Sequence, residues 1–123
     1  MTTKTSPWPV DETVSRLTRL LEEKGIKLFA VIDHSGEAEA AGLELRDTKV
    51  VIFGNPAAGT PVMEAAPLAA LDLPLKVLVW DDGGRTKVSY AEPRELAERY
   101  GFGDELAERL AASDVLTDAL AQS

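Results

Sequence analysis

Two runs of strand-forming residues, separated by a pair of glycines in LKVLVWDDGGRTKVSY at residues 75–90, constrain the fold of this chain most strongly. Glycine supplies the positive φ that a tight hairpin turn needs, so the segment predicts two antiparallel strands. Because successive side chains of a strand alternate, Val77 and Val79 lie on one face of the first strand and Leu78 and Trp80 on the other. Both faces are apolar, which predicts that something covers each of them.

The first half of the chain alternates helical and strand patterns. Residues 10–24 carry apolar side chains at helical spacing, with a glycine behind them to end the helix. Residues 27–33 are short, apolar and rich in strand formers, which predicts a buried strand. Residues 35–42 predict a short helix capped by Ser35, and the apolar run 50–53 predicts a strand covered on both faces.

Two proline positions shape the prediction for the middle of the chain. Thr60 followed by Pro61 is a strong helix start, because threonine can cap the first turn and proline fits the first helical position. The helix should run toward Leu71. Pro67 lies too far inside it for a regular first turn and predicts a kink or a break.

The remainder of the chain is helical and acidic, with eight Asp or Glu against three Arg in residues 91–123. The predicted class is an α+β fold with a four-stranded, mostly antiparallel sheet and helices packed mainly on one face. We expect residues 1–9, which include two prolines, to be a flexible lead-in. Residues 10–123 are expected to form a single domain with an acidic helical C-terminus.

Composition excludes several classes of function. The 123 residues contain no cysteine, which removes disulfides, thiolate zinc sites, iron–sulfur clusters and cysteine nucleophiles. No apolar run approaches the length of a signal sequence or a membrane span, so we expect a cytoplasmic protein with no membrane partner. The net charge of −8 argues against a nucleic-acid partner, because phosphate binding relies on clustered Lys and Arg.

The first candidate site is the turn at residues 54–60, between a predicted strand and a predicted helix. Its G-x-x-x-x-G-T spacing imitates a phosphate loop, but no lysine follows the second glycine, so nucleotide hydrolysis is not expected. A glycine-flanked turn before a helix N-terminus can present free amides to a carboxylate or phosphate. Asn55, Gly59 and Thr60 are therefore predicted ligand-binding residues. The alternative is a sharp structural turn in which Asn55 bonds its own backbone.

The second candidate is His34, the only histidine, at the end of the predicted strand 27–33. An imidazole held at a strand end can bind a ligand or act as a general acid or base. Asp33 precedes it, but adjacent strand residues point to opposite faces, so we expect Asp33 to cap the helix that follows. The alternative is a purely structural histidine.

Metal and cofactor sites have little support in the sequence. Haem or a soft metal would need His34 together with Met63 or Met1 as a second ligand. A hard cation could use Asp81 and Asp82, but no calcium-loop spacing accompanies them. The expectation is no metal and no cofactor.

Several motifs occur in the order of a known family. They are IDHS at residues 32–35, GLELR at 42–46, IFGNP at 52–56, GTPVM at 59–63 and LDLPLKVLVW at 71–80. From about residue 10 to residue 100 the chain resembles the bacterial and archaeal domain of unknown function 302. The resemblance implies an α+β domain related in shape to the TATA-binding-protein-like folds. It implies no catalytic role for any residue, because the family has no assigned activity.

Three functions are consistent with these observations. The leading prediction is a non-catalytic homodimer that binds a small anionic or amphipathic ligand between the 54–60 turn and the His34 strand end, which must converge. The second is an enzyme with His34 as acid or base and the Thr60 helix start stabilising an oxyanion. The third is a structural or regulatory interaction module with an exposed apolar patch. The homodimer would cover the second apolar sheet face, and the alternative is that the C-terminal helices do so.

Overall fold

Five strands and six α-helices form in the part of the chain that this computed structural model describes, residues 1–121. The strands are β1 (Thr2–Ser6), β2 (Lys27–Asp33), β3 (Thr48–Gly54), β4 (Leu75–Asp82) and β5 (Arg85–Tyr90). The helices are α1 (Val10–Glu23), α2 (His34–Ala40), α3 (Pro56–Ala65), α4 (Pro93–Tyr100), α5 (Asp104–Glu108) and α6 (Ala112–Ala121), and a 3₁₀ helix spans Pro67–Asp72. The last two residues of the predicted domain, 122 and 123, lie outside the described part.

The strands form one sheet in the order β1-β5-β4-β3-β2, and every neighbouring pair is antiparallel. The predicted α+β class is confirmed, with five strands in place of four. The β4–β5 hairpin turns through Gly83 and Gly84, whose φ values are 61° and 98°. Only glycine adopts such values at little cost, so the two-residue turn fixes the register of the hairpin.

The fifth strand comes from the N-terminus, where residues 1–9 were predicted to be a flexible lead-in. β1 pairs with β5, from Thr2 opposite Tyr90 to Ser6 opposite Thr86. The prediction was wrong because a short polar strand has no apolar pattern to mark it. The unpaired backbone edge of the hairpin supplies the hydrogen bonds that hold β1 in place.

Local signals placed several helix boundaries correctly. The predicted break at Pro67 is confirmed, since α3 ends at Ala65 and the 3₁₀ helix begins at Pro67. Helix α4 has Pro93 in its first turn and a capping box formed by Glu92 and Glu95. Proline without an amide proton and a reciprocal side-chain cap both satisfy the first turn of a helix.

The helices lie mainly on one face of the sheet, as predicted. Helix α1 packs against β2, β3 and β4, and α6 packs against α1, β1 and β4. The largest fully buried side chains between the two layers include Phe53, Leu17, Leu21, Leu116 and Leu120. Val77 and Val79 are fully buried beneath this layer, whereas Leu78 and Trp80 on the opposite face are half-buried. The C-terminal helix α6 therefore covers the face that α1 covers, and the second face of β4 stays partly exposed.

Strand β2 lies at the edge of the sheet, although its apolar sequence predicted a buried strand. All seven of its residues are exposed. It pairs with β3, from Lys27 opposite Gly54 to Asp33 opposite Lys49, and β3 uses its other side for β4. The apolar pattern identifies a strand correctly, but the number of its neighbours is set by the topology of the whole sheet.

Candidate ligand-binding site

The turn after β3 leads into α3, and the helix begins earlier than predicted. Asn55 is the N-cap: its Oδ1 accepts a hydrogen bond from the Ala57 amide at 3.0 Å, and Pro56 occupies the first turn. The chain carries two successive cap-and-proline pairs, and the first one starts the helix, so that Pro61 lies inside it. The predicted helix start at Thr60 was wrong.

The first-turn amides of α3 are already bonded within the turn. The Ala57 amide binds the Asn55 side chain, and the amides of Ala58 and Gly59 each donate to the Asn55 carbonyl at 2.9 Å. The predicted group of free amides is therefore not available to an anion. An anionic ligand at this turn needs a positive group from another element.

A cavity of about 380 Å³ opens beside the turn. Three of the four predicted ligand-binding residues, Asn55, Gly59 and Thr60, line it. Its apolar wall comes from five separate parts of the chain and includes Ile26, Phe29, Met63, Leu73, Pro74 and Leu110. Small-molecule sites have volumes of roughly 300–1,000 Å³ and combine an apolar wall with a few polar groups, and this cavity has both properties.

Arg109 brings a positive charge to the cavity. Among the described residues that line it, Arg109 is the one with an ionisable side chain. No ion pair joins its guanidinium to a carboxylate elsewhere in residues 1–121. An unpaired guanidinium at the rim of an apolar cavity can bind a carboxylate or phosphate oxygen through two parallel N–H bonds.

Sequence reasoning did not identify Arg109. It lies just after α5, in a region whose acidic composition indicated only a solvated helix face. Packing between α3 and α5 brings it to the β3–α3 turn. The available signal was weak: Arg109 is one of three arginines in the acidic C-terminal region.

His34, the fourth predicted residue, lies at the other end of the sheet. Because β2 and β3 are antiparallel, the turn at Gly54 lies opposite Lys27, and Asp33, next to His34, lies opposite Lys49. The five residue-to-residue steps of β3 from Lys49 to Gly54 span about 17 Å at the antiparallel rise of ~3.4 Å per residue. The predicted convergence of His34 with the turn was wrong. For the same reason, His34 and the helix start near Thr60 do not form the single site that the enzyme hypothesis requires.

The hydrogen bonds of the residues next to His34 serve to end β2 and to begin α2. Asp33 caps α2 as predicted: its Oδ1 accepts hydrogen bonds from the Gly36 amide at 2.9 Å and the Ser35 hydroxyl at 2.6 Å. The Ser35 hydroxyl, followed by the Gly36 amide, lowers the pKa of Asp33 below its ordinary value. The prediction that Ser35 itself caps this helix was wrong, because Ser35 is used to hold Asp33.

The described residues contain neither a metal-binding cluster nor a membrane-spanning helix. Within residues 1–121, no group of three or more His, Asp or Glu side chains is arranged to hold a metal ion. No helix in that range is both long enough and apolar enough to cross a bilayer.

Comparison with known proteins identifies a family and one closely similar fold. The family described as "Domain of unknown function DUF302" matches residues 2–121. The crystal structure of an uncharacterised conserved DUF302 protein from Bacillus stearothermophilus superposes with a TM-score of 0.81, covering 98% of this chain and 94% of that chain at 21% identity. At this identity the likeness concerns the fold alone.

Curated relatives come from Brucella. Proteins called fluoride-specific ion channel FluC 1 in Brucella suis biovar 1 and Brucella abortus biovar 1 are each 38% identical over 95 residues, or 76% of this chain. The matched region covers 37% and 35% of those proteins. The chain thus spans about a third of the length of the curated relatives it matches.

Proposed function

The chain belongs to the DUF302 family of domains of unknown function, and we propose that it is a non-catalytic domain that binds a small amphipathic carboxylate as a homodimer. The binding site in this proposal is the cavity beside the β3–α3 turn. The apolar wall takes the hydrocarbon part of the ligand, and Arg109 takes its carboxylate.

The observation that carries the proposal is an unpaired cation at an apolar cavity of ligand size. The volume of about 380 Å³, in a cavity with an apolar wall, favours a ligand with a hydrocarbon body over a bare inorganic ion. The net charge of −8 repels polyanions, which favours a ligand with a single negative charge over a nucleotide.

Binding is favoured over catalysis by the chemistry of the lining. Among the described lining residues, the polar side chains are Asn55, Thr60 and Arg109. General acid–base catalysis near neutral pH needs a group such as a histidine or carboxylate within hydrogen-bond reach of the reacting atom. The cavity positions a ligand without offering it such a group. The proposal places the protein in the cytoplasm, since a chain without cysteine gains nothing from an oxidising compartment.

The experiment compares octanoate with 1-octanol by isothermal titration calorimetry, because the two differ mainly in the charged head group. Gly59→Leu should block both ligands by filling the cavity, where the nearest side-chain atom to a new Cβ is Met63 Cε at 3.8 Å. Arg109→Gln should weaken octanoate about two- to fivefold, the equivalent of an exposed ion pair of ~0.5–1 kcal/mol, and leave octanol unchanged.

Arg94→Gln is the matched control, because Arg94 is exposed on α4 and does not line the cavity. The proposal fails if neither ligand binds the wild-type protein. It also fails if Arg109→Gln and Arg94→Gln have the same effect on octanoate.

A second candidate, an accessory domain of an ion-channel protein, is favoured by the 38% identity with relatives called fluoride-specific ion channels. The apolar lining is a poor solvent for a bare halide, which needs several N–H donors. Thermal unfolding with sodium fluoride against sodium chloride checks this alternative. A fluoride-specific rise in the unfolding temperature supports it, and equal curves argue against a fluoride site in this domain.

A further inference from the structure

Strand β2 presents an apolar edge that no other part of residues 1–121 covers. The exposed fractions of Leu28, Phe29, Val31 and Ile32 are 41%, 45%, 41% and 38%. One side of the strand is hydrogen-bonded to β3, and the other side leaves its amides and carbonyls without a strand partner. Such an edge is a ready template for a further strand.

The other edge of the sheet is protected. β1 has the sequence TTKTS, and its Lys4 is held by Asp118 at 2.7 Å and by the Thr117 hydroxyl at 2.8 Å. Polar and charged side chains are the usual means by which a sheet edge avoids pairing with another chain. β2 has no charged or polar side chain over its five central residues, LFAVI, and carries its charges only at its two ends, although its register with β3 shifts between Leu28 and Ala30.

The charges at the two ends make β2 complementary to a second copy of itself. In an antiparallel pair centred on Ala30, Lys27 of each strand lies opposite Asp33 of the other. The same register places Leu28 opposite Ile32, so that apolar residues meet apolar residues. An arrangement in which one patch is its own partner is the requirement for a two-fold dimer.

We propose that a second copy of this chain pairs with β2 in antiparallel orientation about a two-fold axis at Ala30, forming a continuous ten-stranded sheet. The inference deepens the homodimer part of the proposed function and rests on that part, but not on the identity of the ligand. The sequence led us to expect the partner on the open face of β4. In the present proposal the partner covers the edge of β2 first.

The geometry of Asp33 suits this role. Both of its internal hydrogen bonds use Oδ1, and within residues 1–121 no hydrogen bond is made by Oδ2. The low pKa of the carboxyl keeps it charged at neutral pH. Lys27 of the partner would therefore meet an ionised oxygen that is free to accept.

Beyond the end of β2 the surface is mainly polar and charged, with two exposed leucines. Leu43 and Leu45 are exposed and line the same surface depression as Asp33. In the proposed register this depression lies beside the start of the partner's β2. Phe29 also lines the ligand cavity, so the proposed partner strand would lie next to that cavity.

The first experiment measures the mass of the purified protein by size-exclusion chromatography with light scattering across micromolar concentrations. Val31→Lys places an unpaired charge at the strand interface, and we expect the dimer dissociation constant to rise about a hundredfold. The matched control is Val115→Lys, the same substitution at an exposed valine of α6. Far-UV circular dichroism and thermal unfolding of both variants show whether the fold is retained.

The second experiment tests the register with single cysteines, which the natural chain lacks. Ala30→Cys should form a disulfide-linked dimer under mild oxidation, because it brings two identical residues together at the two-fold axis. Val115→Cys is expected to stay unlinked under the same conditions.

A dimeric wild type, a monomeric Val31→Lys, a dimeric Val115→Lys and a linked Ala30→Cys support the proposal. A monomeric wild type overturns both the homodimer and this interface, while the octanoate titration decides ligand binding separately. A dimer that survives Val31→Lys, or an Ala30→Cys protein no more linked than Val115→Cys, overturns the β2 interface and leaves the homodimer to another surface.

Discussion

Two glycine-to-alanine substitutions should change the stability of this protein in opposite directions. Gly59 lies inside α3, its amide bonds the Asn55 carbonyl at 2.9 Å, and its φ is not positive. Gly101 ends α4 with φ 75° and ψ 32°, in the left-handed region. The same change in side chain therefore meets two different backbone conformations.

The magnitudes follow from the backbone and the space around it. A Cβ at position 59 would lie 3.8 Å from Met63 Cε, an ordinary contact, so Gly59→Ala brings no clash. Alanine in a helix interior is more stable than glycine by roughly 0.5–1 kcal/mol, mainly because the unfolded chain has less freedom to lose. At position 101 a Cβ meets no atom within 4 Å, but a non-glycine residue in this conformation costs about 1 kcal/mol.

The assay is equilibrium unfolding in guanidinium chloride, supported by thermal unfolding. For a chain of this size, Gly59→Ala should raise the unfolding temperature by about 2–4 °C and Gly101→Ala should lower it by about 3–5 °C. The result that would refute the reasoning is a Gly59→Ala protein less stable than wild type by more than about 1 kcal/mol, because it would mean that Gly59 is in a turn of positive φ, outside the helix.

Two further predictions concern the core and the partly exposed ion pair between Asp72 and Arg99. Phe53→Ala, at a fully buried position near the end of β3, should cost about 3–5 kcal/mol of unfolding free energy, while Leu71→Ala, at an exposed position, should change it by less than about 0.5 kcal/mol. Guanidinium unfolding measures both changes, and similar losses would contradict the packing described above. The Tyr100 hydroxyl has the largest effect in lowering the pKa of Asp72, followed by the Arg99 guanidinium, which lies 2.7 Å from the carboxylate. The charged Asp72 side chain therefore stabilises the fold above the ordinary carboxyl pKa, and this stabilisation is lost as the pH falls through the lowered pKa of the folded state. Asp72→Asn should therefore be less stable than wild type near pH 7 and nearly equal to it once the pH lies below the lowered folded pKa, and a difference that does not change with pH would show that the Asp72 charge is not involved.

The sequence predicted local structure well wherever a signal is completed within a few residues. The hairpin turn depends on two adjacent glycines, and the break at Pro67 depends on the missing amide of one residue. The cap provided by Asp33 likewise acts over three residues. Errors arose where two local signals competed, as when Asn55 and Pro56 took the helix start predicted at Thr60.

The candidate site could be predicted only in part. The 54–60 turn was identified, because its glycines and its position after a strand are visible in the chain. Arg109 was missed, since it reaches the cavity through the packing of α5 against α3. The predicted convergence of His34 with the turn was wrong. The sequence of an apolar strand does not show its direction relative to its neighbours, and the antiparallel pairing of β2 with β3 places the C-terminal ends of the two strands far apart.

From residue 10 onward the sequence by itself determined which segments are strands and helices, where most of them end, and that the chain builds a mostly antiparallel α+β fold. The tertiary structure alone decided that β1 joins the sheet, that β2 lies at its edge and that Arg109 meets the apolar cavity. The physical reason is the separation along the chain over which each kind of interaction acts. Propensity, capping and turn chemistry act between neighbouring residues, whereas strand order and the walls of a cavity depend on contacts between residues far apart in the chain.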